Sequence, residues 1–210
     1  PPTKKTKDGI HTQTHHNQPN TIVFATGFDA ITGKFMEMDI QGRNELKLSE
    51  AWKEGPKTYL GLQTPGFPNL FSITGPGSPS VLCNMPVPIE QHVEWITDCI
   101  AHMRKNDIDT CEASEEAADE WVAHVNEAAN ATLLVTVPHS WYLGANVEGK
   151  PRVFMPYAGG MVRYRALCDD VVKHNYAGFV LSSKNDSEQT GGNNSKHNFD
   201  ITKQITTPGI

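Results

Sequence analysis

The stretch Ile73-Thr74-Gly75-Pro76-Gly77-Ser78-Pro79-Ser80-Val81-Leu82-Cys83-Asn84-Met85 organises this 210-residue chain. It follows an apolar run, residues 70–74, that predicts a buried strand, and it leads into an amphipathic helix beginning near Pro86. In α/β folds a loop between a strand and a helix N-terminus is a common ligand site. Gly75 and Gly77 permit close approach of a ligand, and the helix start offers unpaired N–H groups. From composition alone, the alternative is a surface connector.

Composition and charge narrow the class of protein. The formal net charge of -6, without a basic stripe, argues against nucleic acid as the main partner. No apolar run approaches the roughly 20 residues that a membrane span needs. The cysteines show neither CxxC pairing nor the spacing of a disulfide framework, so we expect free thiols and a cytoplasmic location. These cysteines are Cys83, Cys99, Cys111 and Cys168.

Both ends of the chain are polar. Residues 1–20 have no apolar periodicity, and their histidines His11, His15 and His16 lack cysteine or carboxylate at ligand spacing. We therefore expect a frayed end and no metal site. Residues 182–210 are rich in Ser, Asn, Gly, Gln and Lys, a composition typical of disorder.

Three segments between these ends have helical periodicity. Residues 86–105 carry the stripe Ile89, Val93, Ile96, Ile100 and Met103. Residues 114–129 begin at the cap residue Ser114 and carry the stripe Ala117, Trp121, Val125 and Ala128. The third helix is predicted over residues 160–174, with Tyr164, Leu167, Cys168, Val171 and Val172 inward.

Short apolar runs predict the strands. These are residues 21–25, 58–62 and 133–137, besides the run that precedes the opening loop. Residues 38–48 predict a hairpin or excursion that ends near Trp52. Early in the first long helix, Glu90 and His92 form a conceivable acid/base pair, although a solvated or locally hydrogen-bonded face is the more ordinary interpretation.

Several sequence blocks, in order, resemble one enzyme family over about Thr21–Phe179. The blocks are ATGFDA, TYLGL with GFPNLF, GPGSPSVLCNM with IEQHVEWI, SWYLGAN, and GKPRVFMPYAGG. On these blocks the chain is similar to the class I Baeyer–Villiger monooxygenases, of the cyclohexanone and phenylacetone monooxygenase kind. The resemblance covers only the C-terminal part of a family member, because neither the two glycine fingerprints for FAD and NADPH nor the flavin-activating arginine is found in the chain.

The resemblance implies a fold class and a division into domains. The fold is expected to be α/β, the C-terminal part of a flavoprotein with two dinucleotide-binding (Rossmann-like) domains, incomplete without its N-terminal half. Residues 1–26 would comprise a polar segment and the last strand of the nicotinamide-binding domain. Residues 27–181 would form the C-terminal portion of the FAD-binding domain, and residues 182–210 a disordered tail.

The resemblance also implies a reaction and site residues. Such enzymes use FAD and NADPH to insert one oxygen atom of O2 into a ketone, giving an ester or lactone. The implied cofactor-binding residues are Asn84, Met85 and Trp141, although a core aromatic is an equal alternative for Trp141. The residues implied to border the substrate pocket are Pro79, Ser80, Val81 and Leu82. The residues implied to form the interdomain hinge are Ala25, Thr26, Gly27 and Asp29.

Two other interpretations stay open. The chain is alternatively a non-catalytic truncated remnant of such an enzyme, or a small independent binding module. In every case we expect the 210-residue chain alone to be inactive. The coding sequence upstream distinguishes the interpretations, since glycine fingerprints in an open frame indicate the enzyme and a stop codon indicates the remnant.

Overall fold

Three long helices surround the main core of the chain. A computed structural model describes residues 2–7, 9–21, 23 and 28–183. The helices are α1 Gly33–Glu37, α2 Leu48–Ala51, α3 Pro86–Lys105, α4 Glu115–Asn130 and α5 Met161–Lys173. The strands are β1 Pro2–Thr6, β2 Gly9–Thr12, β3 His16–Asn17, β4 Thr110–Ala113 and β5 Phe179–Ser182.

Some sequence expectations lie outside the described residues. They are most of the predicted strand 21–25, the hinge residues Ala25, Thr26 and Gly27, and the tail from residue 184 onward. Among the described helices, none is long and apolar enough to cross a membrane.

The three predicted helices are confirmed, and their ends have local causes. The Ser114 side chain accepts a hydrogen bond from the Ala117 N–H at the start of α4, where Glu115 and Glu116 complement the helix dipole. Helix α3 begins at Pro86, where a missing N–H has no cost, and ends with basic residues near its negative pole. Helix α5 begins after Gly160, whose φ is 85°.

The buried face of α3 differs from the prediction. Of the predicted stripe, Ile89, Val93 and Ile100 are 38%, 46% and 38% exposed and lie on the outer side, whereas Met103 is buried and Ile96 packs against the core. The face turned to the core is formed by Pro88, Gln91, His92, Trp95, Cys99 and Met103. Residues on both faces of α3 recur at helical spacing. The tertiary contacts decide that the face with the Trp95 indole and the Cys99 thiol turns to the core.

The main core lies between α3, α4 and α5 and the segments that connect them. Trp121, Tyr157 and Tyr164 are its largest fully buried side chains, together with Tyr59 from the loop region before α3. A second, smaller core joins α1 and α2 through Leu48, Trp52 and Phe67. The chain therefore buries a substantial apolar interior with its own residues.

Three predicted strands are wrong. Residues 58–62 turn within the core, because Leu60 and Gly61 have φ of 56° and 68° and Tyr59 pairs with Gln63. Residues 70–74 are irregular, with the Ser72 N–H donating to Leu62 O at 2.7 Å. Residues 133–136 form a 3-10 turn capped by Thr132. Periodicity cannot distinguish such short apolar runs from buried irregular backbone.

Strand pairing in the described residues is antiparallel. Strand β4 pairs with β5, from Thr110 opposite Ser182 to Ala113 opposite Phe179. Strands β1, β2 and β3 form a second sheet in that order, so the expectation of a frayed N-terminal segment is wrong. The Thr12 hydroxyl accepts from the His15 N–H at 2.9 Å and closes the turn between β2 and β3.

The predicted excursion over residues 38–48 is confirmed. Gln41 and Lys47 pair as an isolated antiparallel bridge around a 3-10 turn, Arg43–Glu45. Helix α2 follows and ends at Trp52, whose indole N–H donates to Lys57 O at 3.3 Å. Residues 38–48 and α2 therefore pack against the smaller core.

Candidate functional site

The glycine- and proline-rich loop before α3 lies inside the molecule. Residues 75–80 are all buried, and Ser78 is fully buried. A surface connector would be exposed and would make few contacts with the core. The loop is instead a central structural element, and the surface-connector alternative is wrong.

Side chains and backbone from distant parts of the chain hold this loop. The Trp121 indole N–H donates to Gly77 O at 3.0 Å, and the Thr58 hydroxyl donates to Pro76 O at 2.6 Å. Backbone hydrogen bonds add Gly77 N–H to Met155 O at 2.6 Å and Tyr157 N–H to Ser78 O at 2.7 Å. Because both groups of Gly77 are paired with the core, the loop has one defined path.

The glycines of the loop serve protein packing, contrary to the expectation that they serve ligand approach. A Cβ at Gly75 would lie 2.6 Å from Gly61 O and 2.8 Å from Ser72 Cβ. A Cβ at Gly77 would lie 3.0 Å from both the Thr58 hydroxyl and the Trp121 indole nitrogen, and its φ is 85°. Glycine is needed because two backbone segments meet there without side chains between them.

His92 connects the loop to α5 through a buried hydrogen-bond chain. Its Nδ1 accepts from the Thr74 N–H at 2.9 Å, so in the neutral ring Nε2 carries the proton. Nε2 lies 2.7 Å from the Tyr164 hydroxyl, which donates to Leu60 O at 2.5 Å. Each polar atom in this series of hydrogen bonds thus has a partner, and the bonds specify which ring nitrogen of neutral His92 carries the proton.

Burial controls the protonation of His92 and Tyr164. It lowers the pKa of His92 to about 4 and raises the pKa of Tyr164 well above its ordinary value. His92 is therefore neutral near pH 7, as its acceptor role requires. Of the ordinary interpretation, a solvated or locally hydrogen-bonded face, the solvated part is wrong for His92, which is buried and hydrogen-bonded. The pairing with Glu90 is also wrong, because Glu90 is exposed.

A second histidine–tyrosine pair also contacts Trp121. His124 Nε2 lies 3.0 Å from the Tyr157 hydroxyl, and both rings contact the Trp121 indole. Burial lowers the pKa of His124 and raises that of Tyr157 to about 12. Both pairs are neutral near pH 7, so they support the loop without buried charge.

The loop continues into α3 through two residues with free backbone donors. In the described part of the chain, no atom accepts a hydrogen bond from the N–H of Asn84 or Met85. Asn84 is exposed and Met85 is half-buried. The next residue is Pro86, so these two N–H groups are the free donors at the positive end of the α3 dipole.

The residues predicted to border a substrate pocket are divided between interior and surface. Pro79 and Ser80 are buried, and Ser80 has a φ of 43°. Leu82 is half-buried at the end of the 3-10 turn Ser80–Leu82. Val81 lies within that turn. Of the described side chains, Leu82 is therefore the one that reaches the surface.

Trp141 lies at the start of a 3-10 turn, Trp141–Leu143. The Ser140 hydroxyl caps this turn by accepting from the Tyr142 N–H at 3.2 Å. The indole is half-buried and meets the Tyr142 ring edge-to-face at 4.5 Å. Trp121, in contrast, is fully buried, so Trp121 rather than Trp141 is the core tryptophan of this region.

Met155 joins the Trp141 segment to the loop. Its N–H donates to Tyr142 O at 2.8 Å and its carbonyl accepts from the Gly77 N–H at 2.6 Å. Asp29, the described member of the predicted hinge, forms an ion pair with Lys150, and Asn146 donates to Phe28 O at 3.1 Å. The fold thus connects residues 28–30, the loop and residues 141–150, which are far apart in the sequence.

Two cavities lie near the loop and the strand β4. A void of about 20 Å³ lies behind the loop, lined by Thr58, Pro76 and Trp121 among others, and is large enough for one water molecule. A shallow groove of about 460 Å³ runs between Arg43, Gly66 and Glu116. Neither cavity is lined by Leu82, Met85 or Trp141.

The chain is similar to the same class of enzyme, the Baeyer–Villiger monooxygenases, by sequence and by structure. A Baeyer–Villiger monooxygenase of Pseudooceanicola batsensis is 38% identical over 176 residues, which are 83% of this chain. The cyclohexanone 1,2-monooxygenase of an Acinetobacter species is 39% identical over 160 residues, 76% of this chain. The crystal structure of OTEMO in complex with FAD and NADP superposes with a TM-score of 0.78 and 36% identity over 87% of this chain. The chain is thus similar, in sequence and in fold, to one part of the Baeyer–Villiger monooxygenases.

The similarity extends over part of each relative. The chain spans 32% and 29% of the two enzymes and 33% of the OTEMO chain. No family model matches the sequence. The expected fold class is confirmed, since the chain corresponds to a portion of a two-domain flavoprotein.

Several residues that shape the glycine- and proline-rich loop could not be predicted from the sequence. His92 and Trp121 were placed on helices, but their bonds to Thr74 and Gly77 were not predicted. One usable signal was present: His92, Trp95, Cys99 and Met103 follow each other at helical spacing on α3. A histidine within such a stripe is a candidate for a buried, hydrogen-bonded core position.

Proposed function

We propose that the chain is the C-terminal part of an FAD- and NADPH-dependent monooxygenase that inserts one atom of O2 into a ketone, giving an ester or lactone. The observation that carries this proposal is the buried loop, which presents the free N–H groups of Asn84 and Met85 at the positions that meet the flavin ring in the family. The alternative is a non-catalytic remnant of such an enzyme.

The exposed aliphatic side of α3 supports the proposed domain arrangement. Ile89, Val93 and Ile100 are partly exposed on a helix whose other face is fully packed. We assign residues 27–181 to the FAD-binding domain, and this apolar stripe is then the surface that contacts the rest of that domain. The free thiols of the described cysteines fit a cytoplasmic enzyme.

The residues present fit a bound FAD. Two adjacent unpaired N–H groups at a helix N-terminus favour an acceptor that carries negative charge, as the pyrimidine end of a reduced flavin does. The loop that supplies them is held by Trp121, Thr58 and Met155, so the donors need not reorganise when a ligand binds. FAD supplies the oxygen chemistry, and these residues bind and orient it.

The residues around Trp141 fit a nicotinamide cofactor. A half-buried indole offers an apolar face and an N–H donor to a ligand, which a fully buried core tryptophan does not. The Tyr142 ring supports the indole edge-to-face, and the Tyr142 carbonyl is tied to Met155. Through that peptide unit, the proposed NADPH contact and the proposed FAD contact are held in one framework.

The proposed function is tested on the polypeptide encoded by the complete reading frame that contains this chain. We expect bound FAD, NADPH oxidation that depends on a ketone, and an ester or lactone detected by mass spectrometry. A panel of cyclic, linear and aryl ketones then identifies the substrate class. A reading frame whose product binds no FAD and oxidises no NADPH would establish the remnant instead.

Leu82→Ala is expected to change substrate preference in that polypeptide by about tenfold, the usual effect of removing apolar side-chain volume from a pocket. The FAD content should stay unchanged, because the N–H groups of Asn84 and Met85 remain in place. The measurement is kcat/KM for two ketones of different size. Leu133→Ala is the matched control, since Leu133 is 83% exposed. Loss of FAD with an unchanged ratio would contradict the assignment of Leu82.

Trp141→Ala is expected to raise the NADPH KM by an amount equivalent to about 1–3 kcal/mol, as for one aromatic anchor. The FAD content and the melting temperature should change little, because Trp141 is half-buried and contributes little to the core. The three quantities are measured on the one variant, with Trp141→Phe as the conservative control. A large drop in melting temperature with an unchanged KM would refute the cofactor role.

A further inference from the structure

Two cysteines that no part of the proposed chemistry uses lie in contact. Cys99 is in the middle of α3 and Cys111 is in β4, and both are fully buried. Their Sγ atoms are 3.9 Å apart, whereas a disulfide bond is ~2.05 Å long. Among the described residues this is the one recorded contact between two thiols.

The two thiols are not equivalent. The hydrogen bond with Cys111 lowers the pKa of Cys99, and the same hydrogen bond, with burial, raises the pKa of Cys111. Gln63 fixes the second thiol, because its side-chain amide donates to Cys111 O at 3.1 Å and its carbonyl oxygen lies 3.9 Å from Cys111 Sγ. The shared hydrogen bond therefore favours the thiolate of one member of the pair beside a protonated partner.

The other cysteines lack these features. Burial raises the pKa of Cys168 to about 12, and its neighbours are the Tyr164 hydroxyl and Gln91 rather than a thiol. Burial also raises the pKa of Cys83, whose thiol donates to Ser80 O at 3.3 Å. A thiol whose ionisation is suppressed reacts slowly with oxidants.

We propose that Cys99 and Cys111 are a redox-active pair that closes to a reversible disulfide when the chain meets hydrogen peroxide. The Cys99 thiolate attacks one peroxide oxygen, the O–O bond breaks, and the hydroxide released takes a proton to form water. The Cys111 sulfur then attacks the Cys99 sulfenic acid, the S–O bond breaks, and a second water leaves. Two thiols are oxidised, one peroxide is reduced, and an added dithiol reverses the reaction.

The position of the pair gives the cross-link a structural effect. It would tie the middle of α3 to β4, and α3 is the helix whose first turn follows Asn84 and Met85. β4 is also held to the segment before the loop, because the Cys111 N–H donates to the Asn69 side chain at 2.9 Å and Cys111 O accepts from the Asn69 N–H at 2.9 Å. The disulfide would thus fasten α3 to the framework that carries the loop.

The test treats the full 210-residue chain with one equivalent of hydrogen peroxide in native buffer, blocks remaining thiols and maps the linked peptides. We expect Cys99–Cys111 as the major linkage, with a mass loss of two hydrogen atoms that dithiothreitol reverses. The double variant Cys83→Ser with Cys168→Ser should form it equally well. Cys111→Ser should stop at a sulfenic acid on Cys99, trapped by dimedone.

The matched control is the same chain unfolded in urea before oxidation, which samples all thiol pairings. Linkages in native buffer as mixed as those from urea would overturn the proposal. So would a native chain in which no cross-link forms while Cys83 or Cys168 is oxidised. Both outcomes are read from peptides of the unaltered chain, so they do not depend on whether the serine variants fold.

Discussion

Replacing Trp121 by alanine is expected to lower the free energy of unfolding by about 3–5 kcal/mol, the cost of emptying a large aromatic site in a core. Trp121 is fully buried against Tyr157, Tyr164 and His124, and its indole N–H is paired with Gly77 O. The substitution therefore removes packing from the main core and one support of the loop. Urea denaturation of the full chain, followed by circular dichroism, measures the change.

Two matched variants separate the causes. Trp121→Phe keeps most of the ring but leaves Gly77 O without its donor, and we expect a loss of about 1–3 kcal/mol. Trp141→Ala removes a half-buried tryptophan of the same size and should cost clearly less than Trp121→Ala. Equal losses at Trp121 and Trp141 would show that the core is not centred on Trp121.

The second large effect is a pH dependence of stability due to His92. Burial lowers the pKa of His92 to about 4 in the folded chain, against an ordinary value of 6.5. Stability from neutral His92 is complete well above pH 6.5, because neither the folded nor the unfolded state then binds a proton at this residue. Between pH 6.5 and 4 the unfolded state binds a proton at His92 and the folded state does not. The free energy of unfolding therefore falls as the pH falls, by about 3 kcal/mol in all.

His92→Asn tests this explanation. The asparagine oxygen can accept from the Thr74 N–H, but the side chain does not titrate and does not reach Tyr164. We expect a lower stability at pH 7 and a weaker dependence on pH between 6.5 and 4, measured by urea denaturation across that range. His139→Asn is the control, because His139 is exposed. An unchanged pH dependence in His92→Asn would refute the role of His92, since the remaining slope would then come from other groups such as His124.

Local sequence patterns predicted the long helices and their ends. Ser114 before two glutamates marked the start of α4, and Pro86 marked the start of α3. These signals act within one or two turns of helix, so they need no knowledge of distant residues. The motifs at residues 25–30, 75–85 and 140–146 likewise identified the family, because they are specific in order and spacing.

Short segments were predicted less well for a physical reason. Residues 58–62 and 70–74 are apolar because the core buries them, and burial alone does not specify a strand. The left-handed backbone at Leu60 and Gly61 turns the first segment, and a bond to Leu62 O holds the second. Backbone polar groups in a core must be paired, but strand, turn and loop can all provide the pairing.

The sequence by itself determined which segments are helical, where the glycine- and proline-rich loop lies, and which family the chain resembles. Only the tertiary structure decided that His92 and Trp95, rather than Ile89 and Val93, form the inner face of α3. It also decided that Gly75 meets Gly61 O. The reason is that helix formation depends on neighbours three and four residues apart, whereas burial depends on contacts such as Trp121 with Gly77, which are 44 residues apart.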